Sequence, residues 1–147
     1  RALVQHYLDR IAAYDRVGPT LHAIQHVNAR ALQEADSLDA LPRSQPRGPL
    51  HCVPVLLKDQ VNTRDMPTSY GSILFRDFVP QRDATIVERL EAAGAIILAK
   101  ASMGEFAGRY VSSASGIIRN AYDPTRNPSG SSSGTGAGIA ANFGLVG

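Results

Sequence analysis

Thiol chemistry is nearly absent from this sequence, whose single cysteine is Cys52. One cysteine excludes an internal disulfide framework and any cysteine-cluster metal site, and it fits a reducing, cytoplasmic compartment. Charge is also sparse. Charged residues make up 19% of the chain, below the usual quarter, which points to extensive burial. Fifteen basic against 13 acidic side chains leave a net +2, too little to argue for nucleic acid or an anionic membrane surface. No block of like charges forms a basic or acidic tail. The longest apolar runs, residues 53–57 and 95–99, are far too short to span a bilayer, and no charged-then-apolar secretory signal is present. The chain opens at Arg1 inside a helical pattern and stops at Gly147 within an apolar Gly/Ala stretch, so the expectation is a piece of a longer chain. What the sequence does have is apolar content, 44% over 147 residues, enough for one compact domain or part of a larger one.

Hydrophobic spacing organises the first two thirds. Leu3, Val4, Tyr7, Leu8 and Ile11 predict a helix over residues 1–15, ended by Gly18-Pro19. A second helix is expected from Asn28, as its cap, to about Leu38, with Leu32, Ala35 and Leu38 on one face. Residues 42–49 read as a turn-rich connector. Residues 50–57, with β-branched Val53 and Val55, predict a buried strand, and Pro54 assigns it to a sheet edge or a bulge. Lys58 and Asp59 follow directly. A third helix is expected after Asp83 as cap, with Ile86, Val87 and Leu90 on its apolar face and Gly94 closing it. Residues 95–99 predict a second buried strand. Helix, glycine turn and strand in succession argue for α/β layering. Ser102-x-x-Glu105 has the form of a capping box for a short helix through Phe106. The last third is rich in serine and glycine, and residues 139–142 look like the start of a buried helix.

Several motifs carry chemistry on paper. Gly130-Ser131-Ser132-Ser133-Gly134 has the G-x-S-x-G form with Ser132 as nucleophile, but no strand precedes it and no Asp or His follows. Gly136-Ala-Gly138-Ile-Ala-Ala141 has the dinucleotide form G-x-G-x-x-A, again without a preceding strand. His22 and His26 are four apart and would share a helix face, yet no third ligand accompanies them, so a solvated pair is the simpler reading than zinc. Lys58 ends an apolar strand. By itself such a lysine simply emerges into solvent. Held in the interior, where the neutral amine is favoured, it would serve as a base. The serine cluster at 131–133 supplies hydroxyls for it, and Ser/Lys pairs are one way of activating a hydroxyl nucleophile.

Taken together, four ordered segments resemble the amidase signature family. They are Gly48-Pro-Leu-His-Cys-Val-Pro-Val-Leu-Leu-Lys58-Asp59; Thr68-Ser-Tyr-Gly-Ser72 with Asp83 through Ala95; Ile97-Leu-Ala-Lys100 through Glu105-Phe106; and Asn127-Pro-Ser-Gly-Ser-Ser-Ser-Gly134. Residues 1–40 also look like the family's amino-terminal helices, so the resemblance spans essentially the whole chain. The loop departs from the family's Gly-Gly-Ser-Ser-Gly-Gly by a serine on each side, at Ser129 and Ser133.

The resemblance implies an α/β fold with a mixed sheet covered by helices, incomplete in this chain. Residues 1–147 would form the amino-terminal part of a single amidase domain. It implies hydrolysis of carboxylic amides by a lysine, a bridging serine in a cis peptide, and a nucleophilic serine that forms an acyl-enzyme. Lys58 matches the lysine and Ser131 the bridging serine, with Ser132 beside it as the off-by-one alternative. The family's nucleophile lies past Gly147, so the 147 residues alone are expected to be inactive, and their open sheet aggregation-prone. No metal or organic cofactor is implied. The expected partners are a small amide substrate and either a second copy or the rest of the amidase chain, with no nucleic acid and no membrane. Two readings of other classes stand beside this one: a non-catalytic binding or scaffold protein with the same fold, and a Ser/Gly loop that binds phosphate through backbone N–H groups.

Overall fold

The computed structural model describes residues 1–147. Helix α1 (Ala2–Tyr14) forms where the spacing predicts it, burying Val4, Tyr7 and Ile11 on one stripe. Leu3, on the margin of that stripe, stays half exposed. Asp15 follows α1 and fixes the next strand. Its buried carboxylate accepts the Ala23 N–H at 2.6 Å and the Ile24 N–H at 3.1 Å. Burial pushes its pKa up, while Arg16 and these amides pull it back down. Strand β1 (Ile24–Val27) begins there, and α2 (Ala31–Asp39) comes next.

Strand β2 (Pro54–Lys58) starts four residues later than the apolar run suggests, because residues 49–52 are spent on turns. Helix α3 (Thr85–Ala92) and strand β3 (Ile96–Ala101) then complete a β-α-β crossover. The sheet runs in the order β1-β3-β2, with β3 parallel to β2 and antiparallel to β1. It is the mixed sheet expected, and β2, carrying Pro54 and a bulge between Val55 and Leu56, lies at one side of the three. Beyond β2, Val146 adds an isolated parallel bridge to Val55. Both faces of the sheet are covered. Leu56 and Leu98 join Val4, Ile11 and Phe143 in one apolar cluster, while Val55, Leu57 and Ile97 join Val87 in another. A two-stranded ribbon, β4 (Val111–Ser112) with β5 (Gly116–Ile117), leads into α4 (Ser133–Ala140).

Several local expectations fail for physical reasons. Asp83 is not the cap of α3; Ala84 holds that position, and the Asp83 carboxylate instead accepts the Arg64 N–H at 2.8 Å. Ile86 faces solvent, leaving Val87 as the buried residue of α3. The Ser102/Glu105 capping box does not form: a 3-10 turn runs over Glu105–Ala107, and Glu105 turns to Ser113. Asn28 precedes α2 without capping it; its side chain donates to Ile97 O, tying the helix entry to β3. Residues 139–142 are where α4 ends rather than begins. His22 and His26 share no helix face, since His26 lies in β1 and His22 just before it.

Candidate active site

Two strand ends and one loop build the site. β2 ends on Lys58, and β3 runs through Ala101 into Ser102, Met103 and Gly104. These exits hold the serine loop at three points. Gly134 N–H donates to Ser102 O at 2.9 Å, Gly104 N–H donates to Ser131 O at 3.1 Å, and Lys58 Nζ donates to Ser131 Oγ at 2.8 Å. The Gly130–Ser131 peptide is cis. Ser133, the first residue of α4, is buried and its hydroxyl donates to Ser129 O at 2.8 Å.

Glycine is required in this loop because backbone comes so close. A Cβ at Gly130 would sit 2.0 Å from Arg109 O, and one at Gly134 would sit 2.3 Å from Ser102 O.

The lysine and a serine of the loop are thus brought together as the sequence suggested, and the partner is Ser131. Ser132 is exposed, caps α4 by position, and makes no hydrogen bond to Lys58. No strand runs into Ser132 or Gly136, so neither the nucleophile-elbow form nor the dinucleotide form has its structural context. No group of three or more His, Cys, Asp or Glu side chains gathers in a metal-ligating cluster.

A cavity of about 360 Å³ lies next to this contact, lined by Gln60, Tyr70, Met103, Phe106 and Ala107. Gln60 is two residues past Lys58, and Met103 precedes the Gly104 that holds Ser131, so the site flanks the cavity on two sides. A second cleft, of about 280 Å³, is lined by Arg30, Glu34, Arg64 and Glu91 on other elements and involves neither Lys58 nor the serine loop.

A second lysine, unmarked by any sequence signal of its own, lies close by. Lys100 belongs to β3 and its side chain is fully buried. Its Nζ donates to Thr68 Oγ1 at 2.9 Å and Pro67 O at 3.1 Å, and lies 3.9 Å from Asp59 Oδ1. Burial pushes its pKa down from 10.5 to about 8, with Asp59 and then Asp65 pulling it up. His26, whose own pKa burial lowers, also faces this pair from β1.

Between about pH 8 and 10.5 the unfolded chain therefore keeps a proton that the folded chain has released. Stability from this group is complete above the upper limit and lost as pH falls through the lower one. Native unfolding free energy is expected to rise across that window, relative to Lys100→Met, by on the order of 3 kcal/mol. Denaturant melts of both proteins at the two pH values check this.

Known proteins share this sequence and this fold. The chain matches the family described as Amidase over residues 2–147. It is 45% identical over 139 residues to the A chain of the glutamyl-tRNA(Gln) amidotransferase from Acidothermus cellulolyticus, covering 92% of this chain and 27% of that protein. Among solved structures it superposes on the native peptide amidase of Stenotrophomonas maltophilia with a TM-score of 0.93 and 44% identity, covering 97% of this chain and 31% of the other. The corresponding glutamyl-tRNA(Gln) amidotransferase chain of Thermotoga maritima gives 0.77 at 28% identity, over 97% and 29% of the two chains. The chain thus spans about a third or less of the length of these relatives. The matches run over nearly every residue, from the first helix through both central strands to the serine loop, and the chain belongs to the amidase family.

Proposed function

We propose that these residues supply the lysine and the bridging serine of an enzyme that hydrolyses carboxylic amides through an acyl-serine intermediate. The observation that supports this is the 2.8 Å contact between Lys58 Nζ and Ser131 Oγ. When the amine is neutral, the same contact lets it accept the Ser131 hydroxyl proton. Ser131 then takes the proton of the nucleophilic serine as that oxygen attacks the amide carbonyl. The nitrogen leaves as the amine or ammonia once the proton returns to it, and water releases the acid from the acyl-serine. The nucleophile is not among residues 1–147 in this reading; these residues make the amino-terminal part of the amidase domain and do not turn over amide alone. The substrate is a small amide seated against the cavity beside Ser131. Some relatives are subunits of an amidotransferase, so transfer of the released ammonia to a partner is a second outlet for the same chemistry. No helix is long and apolar enough to cross a membrane, and a cytoplasmic location is part of the proposal.

Release of amine or ammonia from a panel of primary amides tests this, using a polypeptide that carries these residues at the relatives' length. The native polypeptide should turn over, residues 1–147 alone should not, and Ser131→Ala should lower kcat by roughly two to four orders of magnitude. Ser132→Ala should leave it within about tenfold, since Ser132 makes no contact with Lys58. A deeper loss in Ser132→Ala than in Ser131→Ala would transfer the bridging role to Ser132.

A further inference from the structure

Lys58 and Asp59 are neighbours in sequence whose side chains serve opposite sides of β2. Lys58 reaches the serine loop. Asp59, fully buried, reaches the loop over residues 67–72. Its Oδ2 accepts the Ser69 hydroxyl at 2.6 Å and the Gly71 N–H at 3.0 Å, and its Oδ1 accepts the Ser69 N–H at 3.3 Å. Lys100 stands behind it and donates to the same loop at Pro67 O and Thr68 Oγ1. The bend so held is costly by itself. Tyr70 and Gly71 both have left-handed φ, 54° and 73°, and for tyrosine that conformation is unfavourable unless its surroundings impose it. Tyr70 O in turn accepts the Phe106 N–H at 2.9 Å, and Gly71 O accepts the Ser112 hydroxyl at 2.6 Å. Tyr70 and Phe106 are two of the walls of the cavity beside Ser131.

A buried charge pair is weak evidence for stability, because desolvation cancels much of its attraction. Its directional bonds here all point at one bend. We propose that Asp59 and Lys100 are positioning residues for amide hydrolysis: the pair holds the Tyr70–Gly71 bend and so sets the cavity wall against which the substrate seats. This rests on the amidase reading above. Neither residue touches the reacting atoms, so the effect falls on seating of the amide rather than on proton transfer.

The test uses the polypeptide at the relatives' length, with Asp59→Asn and Lys100→Met each read in two ways. Kinetically, KM for the amide should rise about tenfold or more while kcat stays within about threefold. By hydrogen exchange, the Ser69 and Gly71 amides, which both bond Asp59, should lose about tenfold or more of their protection in Asp59→Asn, while the Asp59 and Gly104 amides keep theirs. Retained protection at Ser69 and Gly71, or a fall in kcat at constant KM, overturns the proposal. Should either variant fail to fold, Ser69→Ala removes only the hydroxyl bond to Asp59, and KM should still rise about threefold; an unchanged KM overturns the proposal as well. A native polypeptide that turns over no amide counts against the amidase reading alone, and the exchange measurement then still decides whether the pair holds the bend.

Discussion

Lys58→Ala, in a polypeptide of the relatives' length, is expected to lower kcat for amide hydrolysis by about three orders of magnitude while leaving the fold intact. The two effects separate because the side chain and the backbone of Lys58 have different partners. The backbone completes the β2–β3 ladder, pairing with Ala101, and alanine keeps that pairing. The side chain makes one hydrogen bond, to Ser131 Oγ, from a half-buried position. Losing it costs about 1 kcal/mol of stability, a few degrees at most in melting temperature for a protein of this size. The same loss removes the only base in contact with Ser131. Steady-state kinetics and a melting curve on the same preparation check both halves. Activity within tenfold of native, with an unchanged melt, would remove Lys58 from the proton path.

The second large effect is structural and hinges on sign. Glycine within a helix is ordinarily worse than alanine by roughly 0.5–1 kcal/mol, so glycine-to-alanine changes in α4 would be stabilising by default. Gly136→Ala should follow that rule, since a Cβ there has nothing within 4 Å. Gly134→Ala should reverse it. Its Cβ would lie 2.3 Å from Ser102 O and 2.5 Å from both Ala23 O and Ser102 N, all backbone atoms at the strand exits. None of them is the flexible tip of a side chain, so α4 itself must lift away. That breaks the Gly134–Ser102 hydrogen bond and disturbs the burial of Ala137 and Phe143. A loss of about 3 kcal/mol or more is expected, accompanied by lost amide turnover because Ser131 rides on the same segment. Denaturant melts of the two alanine variants side by side give the answer, and a neutral Gly134→Ala would show that α4 is not pinned to β3.

The fold was legible in the sequence where one periodicity dominated. α1 and α3 carry apolar residues at helical spacing, and β2 and β3 are short runs buried on both faces, as parallel strands are. The strand–lysine–aspartate and serine-loop segments pointed to Lys58 and Ser131 as partners. β1 escaped because Ile24-Gln25-His26-Val27 has neither a run nor a clean alternation; pairing with β3 and the two amides held by Asp15 make it a strand. α4 escaped for the opposite reason. Ser-Gly-Thr-Gly-Ala-Gly composition reads as loop, and only close packing on β1, β2 and β3 makes it helical. Lys100 was visible only as part of a family-like segment, since a lysine at the end of an apolar run carries no sign of which neighbour will bury it.

The bulge between Val55 and Leu56 fixes which way each later residue of β2 turns. Side chains along a strand alternate, so a one-residue insertion or deletion between Pro54 and Lys58 would exchange the two roles at the strand's end. The carboxylate would then face the serine hydroxyl and the amine would press against its own kind in the interior. Exchanges among valine, leucine and isoleucine in this stretch are mild by comparison, because they keep the count. Evolution is therefore freer to alter what this strand is made of than how many residues it has.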